Sequence, residues 1–286
     1  MEWFTLALLS AVFFGVASVL SKKVLIKEHA SEFATATMLL LAVFLIPFLG
    51  KVEFSSIPPR IWLMMIEKAL IISVATILAC KATRHMEISS VEPLRNLSIV
   101  FVALLAFVFL SEDISLQHGA GMVLVLIGAY TLETHTTPIK HATLNNKFIM
   151  YFIAAVVLVS LAVILDRVML RTVSTWTILL IPNFLIAVML LIYQVVAFKG
   201  FKDVIHAFNL GGLAIFFVVL MKIGAEITYL SAVAIPLAAV SLIIAVKRSG
   251  VLISTMLGGE MFHDHHLLHK TLACILMIFG VYLVIF

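Results

Sequence analysis

Long apolar runs succeed one another along nearly the whole chain, and each is enough to cross a bilayer core of about 30 Å. Among the 286 residues 63% are hydrophobic and 12% charged, against about 45–50% and about 25% in soluble domains. A chain with this pattern folds as a polytopic bundle of membrane helices. An outer-membrane barrel is disfavoured, because barrel strands alternate apolar and polar positions over pieces of about ten residues. The opening "MEWFTLALLSAVFFGVASVL" has neither a basic leader nor a small-residue cleavage site, and reads as a first helix that stays attached. The lipid bilayer is therefore the expected partner, and an integral protein of the bacterial inner (plasma) membrane the expected location. The formal charge of +4 is modest and suits anchoring beside anionic lipid. No basic tract with stacking aromatics points to nucleic acid. Cys80 and Cys274 lie in or beside apolar runs and read as packing residues.

Ten spans are expected. The first five are Trp3–Ser21, Phe33–Gly50, Ile61–Cys80, Ile88–Leu110 and His118–Leu132. The second five are Phe148–Asp166, Trp176–Phe198, Leu210–Leu230, Pro236–Gly258 and Leu267–Phe286. The longest polar break, "ETHTTPIKHATLNNK", falls mid-chain and reads as a linker. The predicted units are 1–133, a linker at 134–146, and 147–286.

The two units match each other. At an offset of 148, Phe4 meets Phe152, Ala7 meets Ala155, Lys23 meets Arg171, Leu94 meets Leu242 and Glu112 meets Glu260. After Glu260 an insertion of four residues moves the offset to 152, and Gly128 then meets Gly280 and Tyr130 meets Tyr282. Because five is odd, the second copy enters the membrane from the opposite side. Such inverted repeats are a common construction of secondary transporters, with the substrate near the midplane between the repeats.

Two five-span copies that close with "FLSEDISLQHGAGMVLVLIGAY" and "LGGEMFHDHHLLHKTLACILMIFGVY" resemble the drug/metabolite transporter superfamily, EamA branch. There a fourth span ends in Glu and a fifth carries a late Gly. This chain has "SE" and "GE" where "GE" is usual in both halves, and its second loop is unusually rich in His. The resemblance implies an all-α carrier of ten helices in two EamA-like units, moving a small molecule outward by alternating access. It also implies cytoplasmic termini. The positive-inside rule points the other way, because Lys22, Lys23, Lys27, Lys81, Arg84 and Lys140 fall on the loop side opposite the termini.

Charges inside spans are the informative residues. A Lys or Arg at a helix centre costs about 2.5–3.5 kcal/mol on insertion scales, so such side chains turn to the bundle interior, to acids or to water. Lys247 and Arg248 lie deepest, in "SLIIAVKRSGVLISTML". Neighbours on a helix point about 100° apart, so one faces a cavity and the other leans in or pairs with an acid. The alternative is a purely structural ion pair. The dipeptide is similar to a phosphate-gripping pair in the plastid sugar-phosphate branch of the superfamily. In "VEPLRNLS", Pro93 bends the fourth span, and Glu92, Arg95 and Asn96 surround the bend. Arg95 and Asn96 are expected beside the anion; the alternative for Arg95 is snorkelling to headgroups.

Lys222 and Glu226 lie four apart on one face. They either satisfy each other or let Glu226 exchange partners with Lys247 or Arg248. Glu67 is expected to turn inward, and it and Glu92 join Lys222 and Glu226 as coupling or gating candidates. Asp166, Arg167, Lys22 and Lys23 sit near span ends and read as interfacial. Glu112 and Glu260 are expected to bind neighbouring backbone amides. Trp3, Trp62 and Trp176 mark span starts. "HDHHLLH" could hold zinc through His263, Asp264, His265, His266 and His269, but reads more simply as a solvated loop, and no metal is assigned. There is no nucleophile–base set and no phosphate loop. The chain is thus expected to be neither an enzyme nor cofactor-dependent, with a gradient as its energy source.

The expected substrate bears a carboxylate or phosphate: an amino acid, organic acid or phosphorylated compound. A homodimer is compatible with this reading. The alternatives are a flippase for a lipid-linked sugar or phospholipid, and an intramembrane lipid-phosphate enzyme.

Overall fold

The computed structural model describes residues 2–25, 30–85, 95–112, 115–134, 147–198, 202–236, 238–250, 253, 275–277 and 279–283. Among the described residues all regular structure is helical. The first half contributes α1 (Glu2–Leu25), α2 (Ala30–Leu45), α3 (Pro59–His85), α4 (Ser98–Leu110) and α5 (Leu116–Thr134). The second contributes α6 (Lys147–Leu170), α7 (Thr175–Phe198), α8 (Lys202–Ala234) and α9 (Val240–Arg248). Within α8 the backbone breaks at Gly212, which has φ 44°, a conformation open to Gly because it lacks Cβ. Among the described residues six helices are long and apolar enough to cross a membrane, and α4 and part of α5 are shorter apolar helices. The protein is thus an all-helical polytopic membrane protein.

Several boundaries differ from the sequence reading. The second span ends in a 3₁₀ turn, Ile46–Lys51, because Pro47 removes a backbone donor. The sixth helix continues four residues past Asp166, to Leu170. "VMLR" follows the charged pair without any helix breaker, so Asp166 and Arg167 lie within the helix. The ninth helix starts at Val240, after an irregular stretch that contains Pro236.

The helices of the two halves interleave. α1 lies along α8, and α3 along α6; α2 packs on α7 and α8, α3 also on α7. α4 meets α6 and α9, and α1 meets α9. Lipid tails are as apolar as leucine, so close backbone approach at small residues holds membrane helices together. The α1–α8 seam follows that rule. Ser10 Oγ donates to Ala225 O at 2.8 Å, and the Phe13 ring packs on Gly224. Where α1 crosses the ninth span the fit is tighter still. A Cβ added at Gly250 would lie 2.4 Å from Ala11 O, and one at Gly15 would lie 2.6 Å from Gly250 O.

These obstacles are backbone atoms, which cannot swing aside. Gly250→Leu should therefore destabilise the detergent-solubilised protein by about 1–3 kcal/mol or more, as overpacking does. Thermal unfolding checks this, with Gly50→Ala as a control expected to change nothing, since no atom lies within 4 Å of that Cβ position.

Candidate functional site

Two buried polar constellations occupy the interface between the halves. The first closes the irregular turn between α8 and α9. Non-helical backbone at membrane depth needs partners from the protein itself. Arg167, on α6, supplies them. Its guanidinium donates to Val233 O, to Ile235 O at 2.8 Å, to Pro236 O at 2.7 Å and to Ala238 O at 2.9 Å. The amide side of the turn is met from the other half of the chain. Glu112 accepts hydrogen bonds from Val240 N at 2.7 Å, Ser241 N at 3.3 Å and Ser241 Oγ at 2.9 Å. A carboxylate at a helix N-terminus and a guanidinium at a C-terminus both complement the peptide dipoles. Glu112 thus binds neighbouring amides as expected; Glu260 lies outside the described residues.

Glu112 reaches this position because α4 ends on Ser111 in the left-handed region, φ 53° and ψ 40°. Glycine usually occupies such a cap, since a Cβ costs roughly 1–2 kcal/mol there. The "SE" that departs from the familiar "GE" falls on this residue.

The second constellation lies between the helices. Lys247 follows the start of α9 by seven residues, about 10 Å along the axis at 1.5 Å each. Its ammonium sits 3.9 Å from the Tyr229 ring centroid and 5.8 Å from that of Phe14. Arg248 donates from Nε to Ser98 Oγ at 2.8 Å, joining α9 to α4, and its guanidinium carbon lies 5.9 Å from the Phe14 ring centroid. Glu226 accepts from Asn183 Nδ2 at 3.0 Å. Lys222 lies 5.7 Å from the Phe33 ring centroid, and Glu226 attracts both Lys222 and Lys247. Lys222, Glu226, Lys247 and Arg248 are all partly accessible although they sit within the bundle. Beside them Lys68 and Asp166 pair at 2.5 Å, with 7% and 5% of their side chains accessible.

The sequence candidates sort as follows. Lys247, Arg248, Lys222 and Glu226 come together, and Arg95 acts electrostatically on Lys222. Asn96 is buried, and neither amide atom makes a hydrogen bond, a state that costs about 1–3 kcal/mol unless a partner arrives. Lys222 and Glu226 do not satisfy each other directly: Glu226 bonds Asn183 and Lys222 rests near Phe33. Two expectations are corrected. Glu67 is exposed on the outer face of α3, because its neighbour Lys68 takes the inward face. Asp166 and Arg167, read as lying near a span end, lie within α6 and are buried in the bundle, 4% and 8% exposed. Apolar residues on both sides of "DR" are the signal that could have found them. Tyr229 and Asn183, which flank Glu226 in space, were also missed. Glu92, Pro93 and the His263–His269 loop lie outside the described residues, as do the side chains of Lys22 and Lys23. Trp176 stacks on Phe48, centroids 5.1 Å apart, with Lys51 4.0 Å above the indole, an amphipathic cluster suited to a membrane interface.

Relieving the left-handed cap is a direct check on the Glu112 geometry. Ser111→Gly should raise stability by about 1 kcal/mol, read as a higher unfolding temperature with transport unimpaired.

The model of the EamA-like transporter family matches residues 1–134. No curated protein matches the chain at a significant level. Among solved structures 28 chains match. One, titled only "Crystal structure of protein", aligns with a TM-score of 0.73 and 14% identity over 99% of this chain and 95% of that one, which shows a shared fold. Residues 1–134 are thus similar to the EamA-like transporter family, and that similarity supports a membrane transporter of the drug/metabolite type.

Proposed function

We propose, from the EamA-like first half and the charges between the helices, that this protein is a ten-helix secondary transporter of small anions. Two five-helix units, 1–133 and 147–286 around a linker at 134–146, lie inverted in the membrane and rock about a central site. The family match of residues 1–134 supports the carrier reading. Reciprocal packing supports the repeat. The first helix of each half lies on the third of the other, α1 on α8 and α6 on α3. The first also meets the fourth of the other, α1 with α9 and α6 with α4, while α2 meets α7 and α4 meets α9. Exchanging the halves leaves this set unchanged, as a twofold relation demands.

One observation carries the substrate class. Lys247 rests on aromatic faces, and among the described residues no carboxylate lies within ion-pair distance of it. Its charge is held in place without being neutralised, so an arriving carboxylate or phosphate gains a full ionic contact. Arg248, beside it, supplies a forked donor suited to either group. Arg95 and Asn96 support the same anion, and Glu226 and Lys222 are the coupling pair, with Glu226 free to change partners as the anion leaves. Export, and location in a bacterial inner membrane, rest on resemblance to the family.

The test is uptake into proteoliposomes across a panel of amino acids, organic acids and sugar phosphates. Removing one charge-assisted contact is worth about 1.5–3 kcal/mol, so Lys247→Ala and Arg248→Ala should each cut uptake of the transported anion at least tenfold. Wild-type rates in both variants would exclude the anion grip.

A further inference from the structure

Lys247 is aimed by something, and the residue beneath it was not among the sequence candidates. The Tyr229 ring lies 3.9 Å from the Lys247 ammonium and is itself 3% exposed. Asp166, Glu226 and Arg248 are the charged groups near enough to act on the Tyr229 phenol. Asp166 is in turn held by Lys68 at 2.5 Å. An ordered series results: Lys68 on α3, Asp166 on α6, Tyr229 on α8, Lys247 on α9. It begins in one half of the chain and continues through three helices of the other.

We infer that Tyr229, with the Lys68–Asp166 pair near it, is the seat that positions the Lys247 ammonium and so sets how tightly the central site binds a compact anionic group. The inference rests on the anion-carrier reading above. A cation over an aromatic face is stabilised without losing its net charge. Asp166 is paired with Lys68, and among the described residues it forms no ion pair with Lys247. Lys247 keeps partial exposure, through which a carboxylate or phosphate would reach the ammonium. Were a carboxylate in ion-pair contact there instead, every incoming anion would have to displace it. Glu226, Arg248, Asp166 and Lys68 also act on Lys247, but Glu226 is oriented by Asn183, Arg248 by Ser98, and Asp166 and Lys68 by each other. Tyr229 is thus a positioning residue, acting through Lys247.

Ring and hydroxyl separate cleanly by substitution. Tyr229→Phe keeps the face under Lys247; Tyr229→Leu removes it. For the pair, a single substitution strands a buried charge and threatens folding, so the informative variant is the double change Lys68→Met with Asp166→Leu. Two readouts are needed. The first is KM and kcat for proteoliposome uptake of L-malate, L-glutamate and inorganic phosphate. The second is the rate at which Lys247 is labelled by pyridoxal 5′-phosphate with borohydride trapping, read by mass spectrometry, which does not depend on transport.

Tyr229→Phe should stay within about twofold of wild type in both readouts. Tyr229→Leu should raise KM about tenfold, the scale of a desolvated cation–π contact, with kcat little changed. An unseated ammonium should also be labelled several-fold faster. The folded double variant should likewise show raised KM and faster labelling; a merely structural pair would leave both at wild-type values. Wild-type labelling of Lys247 in folded Tyr229→Leu overturns the inference. If the wild-type protein takes up none of the three anions, the anion-carrier reading fails, while the labelling comparison still decides whether Tyr229 seats Lys247.

Discussion

Charge and exposed backbone must find partners inside a protein that hydrocarbon surrounds, and that constraint arranges this molecule. Where the path of the chain leaves helical geometry between α8 and α9, the freed carbonyls converge on Arg167 and the freed amides on Glu112. These two side chains come from different halves, so the turn is also a junction. Glu112 can reach across because Ser111 accepts a left-handed backbone. The local strain of one residue is coupled to the satisfaction of another helix's N-terminus.

The charges between the helices obey the same constraint in a different way. Lys68 and Asp166 neutralise each other almost out of reach of solvent. Lys222, Lys247 and Glu226 do not pair off in that manner. The lysines lean on Phe33, Tyr229 and Phe14, and the carboxylate takes a hydrogen bond from Asn183. A purely structural cluster would be expected to close into ion pairs, since an uncompensated buried charge is strongly destabilising. Partial access and aromatic seating instead suit groups that wait for an outside partner. Glycines at the α1 crossing, Gly15 and Gly250, allow this packing by bringing backbones together beside the cluster.

Much of this was legible in the sequence because the bilayer makes strong demands. Apolar run length located the helices, and the acid that closes the fourth span marked Glu112 as a partner for backbone amides. The lysines at 222 and 247 and the arginine at 248 stood out by their expense. What stayed hidden depended on how a helix is rotated about its axis or on a single extra turn. Glu67 and Lys68 are neighbours, and periodicity alone did not say which faced inward. Asp166 and Arg167 read as a helix end because a charged pair usually is one, yet α6 runs a further turn. Tyr229 and Asn183 gave no signal, since neither is costly in a membrane; only the fold shows what they touch.

The central claim is that Lys247 looks onto a wet space shared by the two halves. The most direct measurement places a cysteine there, Lys247→Cys in a background with Cys80 and Cys274 replaced by alanine, and treats reconstituted protein with a charged, membrane-impermeant thiol reagent. The account predicts rapid modification from one side of the membrane, slowed when a transported anion is present. Modification only by a lipid-soluble maleimide, with the charged reagent inert from both sides, would contradict it.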